Sequence, residues 1–148
     1  MANVLVIGGA GYIGSHMMKI LTVAGHRAIA FDNLSMGHRE SIKYGSLGQG
    51  DIADSSSLAA LFDGGIKYDA VMHFALHIEV SESVENPQKY YLNNVSNTLN
   101  LLQGMRRAGC EKFIFLFGRS LRESYRNFSE RKRPSRSNYS VRQVQSND

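Results

Sequence analysis

An apolar run that breaks directly into a spaced glycine turn opens this chain: Val4-Leu5-Val6-Ile7-Gly8-Gly9-Ala10-Gly11-Tyr12-Ile13-Gly14-Ser15-His16. Gly8, Gly11 and Gly14 stand at three-residue spacing. A strand that enters such a turn and leaves it as a helix offers a dinucleotide pyrophosphate to the helix N-terminus. In that arrangement Gly8 permits the tight turn, Gly11 lets the backbone approach phosphate, and Gly14 lets the helix pack close on the strand. Eighteen residues beyond Gly14 stands Asp32, closing a second short apolar run, Ala28–Phe31. An acid there accepts hydrogen bonds from ribose hydroxyls and repels a 2′-phosphate, which favours NAD over NADP.

The pattern continues in the same style. Ile13, Met17, Ile20, Leu21 and Ala24 recur at helical spacing over Tyr12–Ala24, and Gly25 stops the helix. Further strands are expected over residues 46–49, 69–74 and within 110–117. A helix is expected over 55–62, and one helical turn within 41–44. Ser83 to Arg107 reads as one long amphipathic stretch, with Tyr91, Val95, Leu99 and Leu102 along a stripe and Pro87 marking a break or a start. Strands alternating with helices predict an α/β fold, a Rossmann-type doubly wound parallel sheet in the order 3-2-1-4-5.

Charge is unevenly placed. The isoelectric point of 9.3 invites a nucleic-acid reading. Residues 119–148, however, hold eight Lys or Arg against three acids, which leaves residues 1–118 at −1 out of a total of +4. The basic character belongs to the tail, so the folded part is not a basic surface and nucleic acid is not expected as its partner. Cys110 is alone and cannot form an internal disulfide, which fits a reducing cytoplasm. No apolar run approaches the roughly 20 residues of a membrane span. His73 and His77 stand four apart, but His73 ends a strand, so the spacing does not put both on one helix face for a metal. Glu79, Glu82 and Glu85 read as a solvated face, and the Tyr90–Tyr91 pair as helix packing.

These segments carry a resemblance. GGAGYIGSH at 8–16, DNLS at 32–35, GDI at 50–52, HFA at 73–75, VSESVENPQKYYLNNVSNTLNLL at 80–102 and KFIF at 112–115 are similar to the N-terminal part of the extended short-chain dehydrogenase/reductases. Within that group the chain resembles the UDP-glucose 4-epimerases, over about residues 3–115. The resemblance implies NAD as cofactor and a nucleotide-sugar as the intact family's substrate, oxidised transiently at C4. It assigns Gly8, Gly11, Tyr12, Ile13 and Gly14 to the cofactor site. Asp32 and Asn33 would contact the adenosine ribose, and Asp51 and Ile52 would bracket the adenine. Phe74 and Ala75 would line the cleft, and Asn93 would sit near the nicotinamide. Pairing of two copies through the 83–107 helix is a further implication. Where many members read FAGLK, this chain has Phe74-Ala75-Leu76-His77-Ile78, so a lysine contact found in some members is absent.

Beyond KFIF the resemblance stops. Members of the family continue into a Ser-rich strand end, a VYG segment and a Tyr-x-x-x-Lys pair that exchanges the sugar hydroxyl proton. Here Tyr125 and Tyr139 are followed four residues on by Ser129 and Gln143, and no catalytic residue can be assigned. Residues 119–148 hold seven Arg and seven Ser, both six-codon residues. Leu116 to Arg122 can be written CTC TTC GGC CGC AGT CTA CGG. Read from the second base, with the G that opens the Glu123 codon, this gives SSAAVYG. The same frame permits NPTEISAKESAQADPITVYGKS through Val144, placing a second YG segment twenty codons after the first. The expected organisation is therefore an incomplete NAD-binding domain over 1–117, cut after about the fifth strand. It is followed by a basic, unstructured, out-of-frame tail over 118–148. Two alternatives stay open: an NAD-binding module whose basic tail engages nucleic acid or an acidic partner, and a fragment of another sugar-nucleotide epimerase or dehydratase.

Overall fold

Among the described residues, five parallel strands in the order β3-β2-β1-β4-β5 form one sheet. A computed structural model describes residues 1–116. The expectations for 117–148, including the domain boundary at 117 and an unstructured tail, lie outside the described residues. The strands are β1 (Asn3–Ile7), β2 (Arg27–Asp32), β3 (Ser46–Gln49), β4 (Ala70–His73) and β5 (Phe113–Phe115). Helices α1 (Tyr12–Val23), α2 (Ser55–Asp63), α3 (Val80–Glu85), α4 (Pro87–Tyr91) and α5 (Asn97–Arg107) connect them. The predicted strand order and strand positions agree with this. The helical turn expected within 41–44 lies slightly earlier, as a 3₁₀ turn over Arg39–Ser41.

Alternation along β1 and β2 divides the core in two, because successive side chains of a strand point to opposite faces. Leu5, Ile7, Ile29 and Phe31 join Leu58 and Phe62 of α2 and Leu101 and Met105 of α5 on one face. Val4, Val6, Ala28 and Ala30 meet Met18 and Leu21 of α1 on the other. Small residues on this second face let α1 lie close to the sheet. Cover thins toward the β5 edge, where Ile114, paired in register with Met72, is 47% exposed.

Two local devices set the helix ends. Asp54 caps α2 by accepting from the backbone N–H groups of Ser56 and Ser57, and the bonds from the Ser57 and Ser56 hydroxyls, more than the backbone ones, hold its carboxyl down at about 2. Asn86 caps α4, with Pro87 at the first helical position, where its missing N–H costs nothing. The long stretch read over 83–107 thus breaks at Pro87, which the sequence reading allowed, and α4 runs into α5 through a π-turn over Leu92–Ser96. The inserted residue shifts the helical phase. Thr98, Leu101 and Met105 are the buried face of α5, whereas the stripe Tyr91, Val95, Leu99 and Leu102 faces solvent.

His73 closes β4 fully buried, its Nε2 paired with Thr98 Oγ1 at 3.1 Å and its Nδ1 without a hydrogen-bond partner among the described residues. Burial pushes its pKa from 6.5 down to about 4. Above pH 6.5 both folded and unfolded chains carry a neutral imidazole, and the full stability is present. Between pH 6.5 and 4 the unfolded chain takes the proton first, so stability falls with pH, by about 3 kcal/mol at the lower end. Denaturant unfolding from pH 7 to 4 should show this slope, and His73→Leu should flatten it; an unchanged slope in the variant would refute the assignment.

Candidate functional site

The carboxyl ends of β1 to β4 converge on one open cleft. It is lined by Gly8 and Gly11 from the turn after β1, Asp32 and Asn33 after β2, Asp51 and Ile52 after β3, and Phe74 to His77 after β4, with Asn93 closing it from the π-turn. In a doubly wound sheet this edge, where loops from neighbouring strands part, is where ligands bind.

Gly8 has φ +76°, and a Cβ there would stand 2.8 Å from the Ala75 backbone nitrogen. A Cβ at Gly14 would overlap the Gly8 carbonyl oxygen. Both glycines are therefore demanded by the fold itself. Gly11 differs: a Cβ there would meet only the Gly8 oxygen, at 3.4 Å, so packing leaves room for a side chain at this position. Gly11 is also the N-cap of α1, which has no side-chain cap and no acid in its first turn. The free N–H groups and partial positive charge of that helix end suit an anion.

Asp32 is almost fully buried and spends its carboxylate on two loops. Oδ2 accepts from Ala10 N at 2.9 Å, and Oδ1 from Leu34 N at 2.8 Å. The second bond holds Leu34 in the left-handed region, at φ 60°. A carboxylate has about four acceptor positions, so Asp32 keeps capacity for an outside donor. Asn33 Nδ2 donates to Asp51 Oδ2 at 2.9 Å, while Asp51 Oδ1 accepts from Ala53 N at 2.8 Å. The β2 and β3 loops are thereby tied together.

On the far side, Asn93 Nδ2 donates to the Ala75 carbonyl at 3.0 Å. Asn94 accepts from His77 N and donates to His77 O, both at 2.9 Å. Tyr90 hydroxyl donates to Glu82, which also pairs with Lys89. These bonds hold the Glu82 carboxyl below its ordinary range. Glu82 is thus a local organiser as well as part of a solvated face. Of the two tyrosines, Tyr91 is 70% exposed, and Tyr90 packs against the His77 ring at 5.5 Å.

The cleft brings together Gly8, Gly11, Asp32, Asn33, Asp51, Ile52, Phe74, Ala75 and Asn93 from the sequence assignment. Gly14 supports it from beneath, while Tyr12 and Ile13 lie exposed on the first turn of α1, outside the lining. Sequence reasoning missed Asn94, and it weighed His77 only as a metal partner for His73, not as a residue of the cleft. The second Asn of the NNV segment was the available signal, but only the π-turn turns both amides toward the β4 loop. His73 and His77 occupy separate settings, one under the sheet and one at the cleft.

Fold and cleft together define a Rossmann-type α/β domain. The chain belongs to the NAD dependent epimerase/dehydratase family, whose model matches residues 4–144. It is 47% identical over 113 residues to UDP-glucose 4-epimerase of Rhizobium meliloti (strain 1021), covering 76% of this chain and 34% of that protein. With the enzyme of the same name from Azospirillum brasilense it shares 49% over 114 residues, covering 76% and 32%. Among solved structures, UDP-glucose 4-epimerase from Brucella ovis in complex with NAD superposes with a TM-score of 0.74 at 43% identity, over 78% of this chain and 35% of that one. The enzyme from Bifidobacterium longum in complex with NAD+ and UDP gives 0.71 at 34% identity, over 76% and 36%. The chain thus spans about a third of the length of the relatives it matches.

The three glycines can be told apart by stability alone. Gly8→Ala and Gly14→Ala should each lower unfolding free energy by about 1–3 kcal/mol, whereas Gly11→Ala should stay within about 0.5 kcal/mol of the parent. Equal losses at all three, measured by urea denaturation, would contradict the packing described here.

Proposed function

We propose that residues 1–116 form the NAD-binding part of a UDP-glucose 4-epimerase, and that the chain does not turn over sugar nucleotides by itself. The observation that carries the reading is Gly11. It is a glycine in a cleft, at a helix N-terminus, whose missing side chain the packing does not require. Close approach of a pyrophosphate supplies the reason. Asp32, with acceptor capacity left over, suits a ribose hydroxyl, and Asp51 and Ile52 suit the adenine end. Solved UDP-glucose 4-epimerases in complex with NAD, at 43% and 34% identity to this chain, support the same ligand. Titration of the chain with NAD should give saturable binding. Gly11→Ala should weaken it at least tenfold while leaving the unfolding midpoint in place. Absence of binding, or indifference to Gly11→Ala, would sink the reading.

The second half of the proposal concerns the chain beyond residue 116. A one-base insertion near the Phe115 codon accounts for the missing Tyr-x-x-x-Lys pair beyond Leu116, the Arg and Ser enrichment, and the two YG segments available in the neighbouring frame. The tyrosine acid–base of the family is then missing, which costs about two to four orders of magnitude in rate before any loss of substrate binding. Sequencing genomic DNA across codons 110–148 should reveal SSAAVYG in the shifted frame, and the purified chain should form no UDP-galactose from UDP-glucose. A shifted frame without that segment, or measurable turnover, would overturn it.

A further inference from the structure

The β4 loop ends in a side chain whose chemistry the cleft has not yet used. Because the strands run β3-β2-β1-β4-β5, the cleft has an order along the sheet edge. Asp51 and Ile52 follow β3 at one end, the glycine turn after β1 lies between, and Phe74 to His77 follow β4 at the other end. A dinucleotide with its adenosine at β2 and β3 and its phosphates at the glycine turn must carry its second nucleoside toward the β4 loop. His77 is the last residue of that loop to line the cleft.

Its backbone is held at both polar atoms. Asn94 Oδ1 accepts from His77 N and Asn94 Nδ2 donates to His77 O. Thr98 Oγ1, from the first turn of α5, donates to the Asn94 carbonyl at 2.9 Å. In an ordinary α-helix neighbouring side chains diverge by about 100°. The π-turn lets Asn93 and Asn94 both reach the same loop, one at Ala75 and the other at His77. Such turns concentrate at functional sites. The ring is held as well, tilted against Tyr90, whose hydroxyl is fixed by Glu82 and, through it, Lys89. Despite this support, neither ring nitrogen makes a hydrogen bond among the described residues. An imidazole held by packing, with both nitrogens unspent, on a residue that lines the cleft can serve something that enters it.

We propose that His77 is a ligand-contacting residue of the cleft. Presented by Asn94 and Tyr90, its imidazole would bond an uncharged hydroxyl or amide on the second nucleoside of the bound dinucleotide. Burial and nearby Lys89 lower the His77 pKa, with Glu82 opposing them. The ring is therefore neutral near pH 7, with one N–H to give and one lone pair to receive. That pair of functions matches a ribose hydroxyl or a carboxamide better than a phosphate. The inference rests on NAD binding as proposed above.

Its test compares NAD, ADP-ribose and ADP as titrants of the chain and two variants. His77→Ala removes the ring, and His77→Phe keeps an aromatic packed on Tyr90 without polar atoms. Both should weaken NAD about five- to tenfold, the worth of one neutral hydrogen bond, and leave ADP within twofold. ADP-ribose weakening with NAD assigns the contact to a ribose hydroxyl. ADP-ribose behaving like ADP assigns it to the carboxamide. Unchanged NAD affinity, a loss shared equally by ADP, or parent-like NAD binding by His77→Phe would each overturn the proposal. Failure of the unaltered chain to bind NAD refutes the functional reading instead, and is seen before any variant is made.

Discussion

Everything at the ligand-facing edge depends on how closely the backbone crosses itself between β1 and α1. The turn is pressed from three sides. Gly14 of α1 lies over the Gly8 carbonyl, Gly8 abuts the backbone of Ala75, and Gly37 abuts Ala10. At each crossing a single methyl group would push two segments apart, and backbone cannot move aside as a flexible side chain can. The loops after β1, β2 and β4 are thereby set against one another before any ligand arrives. The cleft is a consequence of main-chain contact more than of its lining side chains.

Polar side chains finish what the glycines begin. Asp32, Asn33, Asp51, Asn93 and Asn94 all have one end of a loop in hand. Residues that suit ligand recognition are also the residues that shape the loops. A substitution at Asp32 would thus remove an acceptor and release Ala10 and Leu34 together. Gly11 escapes this entanglement, since the packing leaves room for a side chain there.

Much of this was legible in the residues. The run into Gly8, the spacing to Gly14 and the distance to Asp32 specify a strand, a turn, a helix and a second strand whose directions are fixed, and β1, α1 and β2 lie within one or two residues of expectation. Periodicity failed at 83–107, where Pro87 predicts a boundary but nothing in a 3.6-residue repeat announces a π-turn. The stripe at 91, 95, 99 and 102 obeys the repeat and still faces solvent, since the turn advances the phase and gives the core side to Thr98, Leu101 and Met105. His77 was weighed from the sequence only as a metal partner for His73, because what holds it comes from a different element.

The π-turn gives the α4–α5 segment an unusual sensitivity to length. Surface helices accept a gained or lost residue poorly, because each one rotates everything beyond it by about 100°. Here one such residue is already present and the loop after β4 is fitted to it. Its deletion would leave a more regular helix, with Asn93 and Asn94 swung off Ala75 and His77. Local regularity would improve, and the wall of the cleft would lose the two amides that hold it.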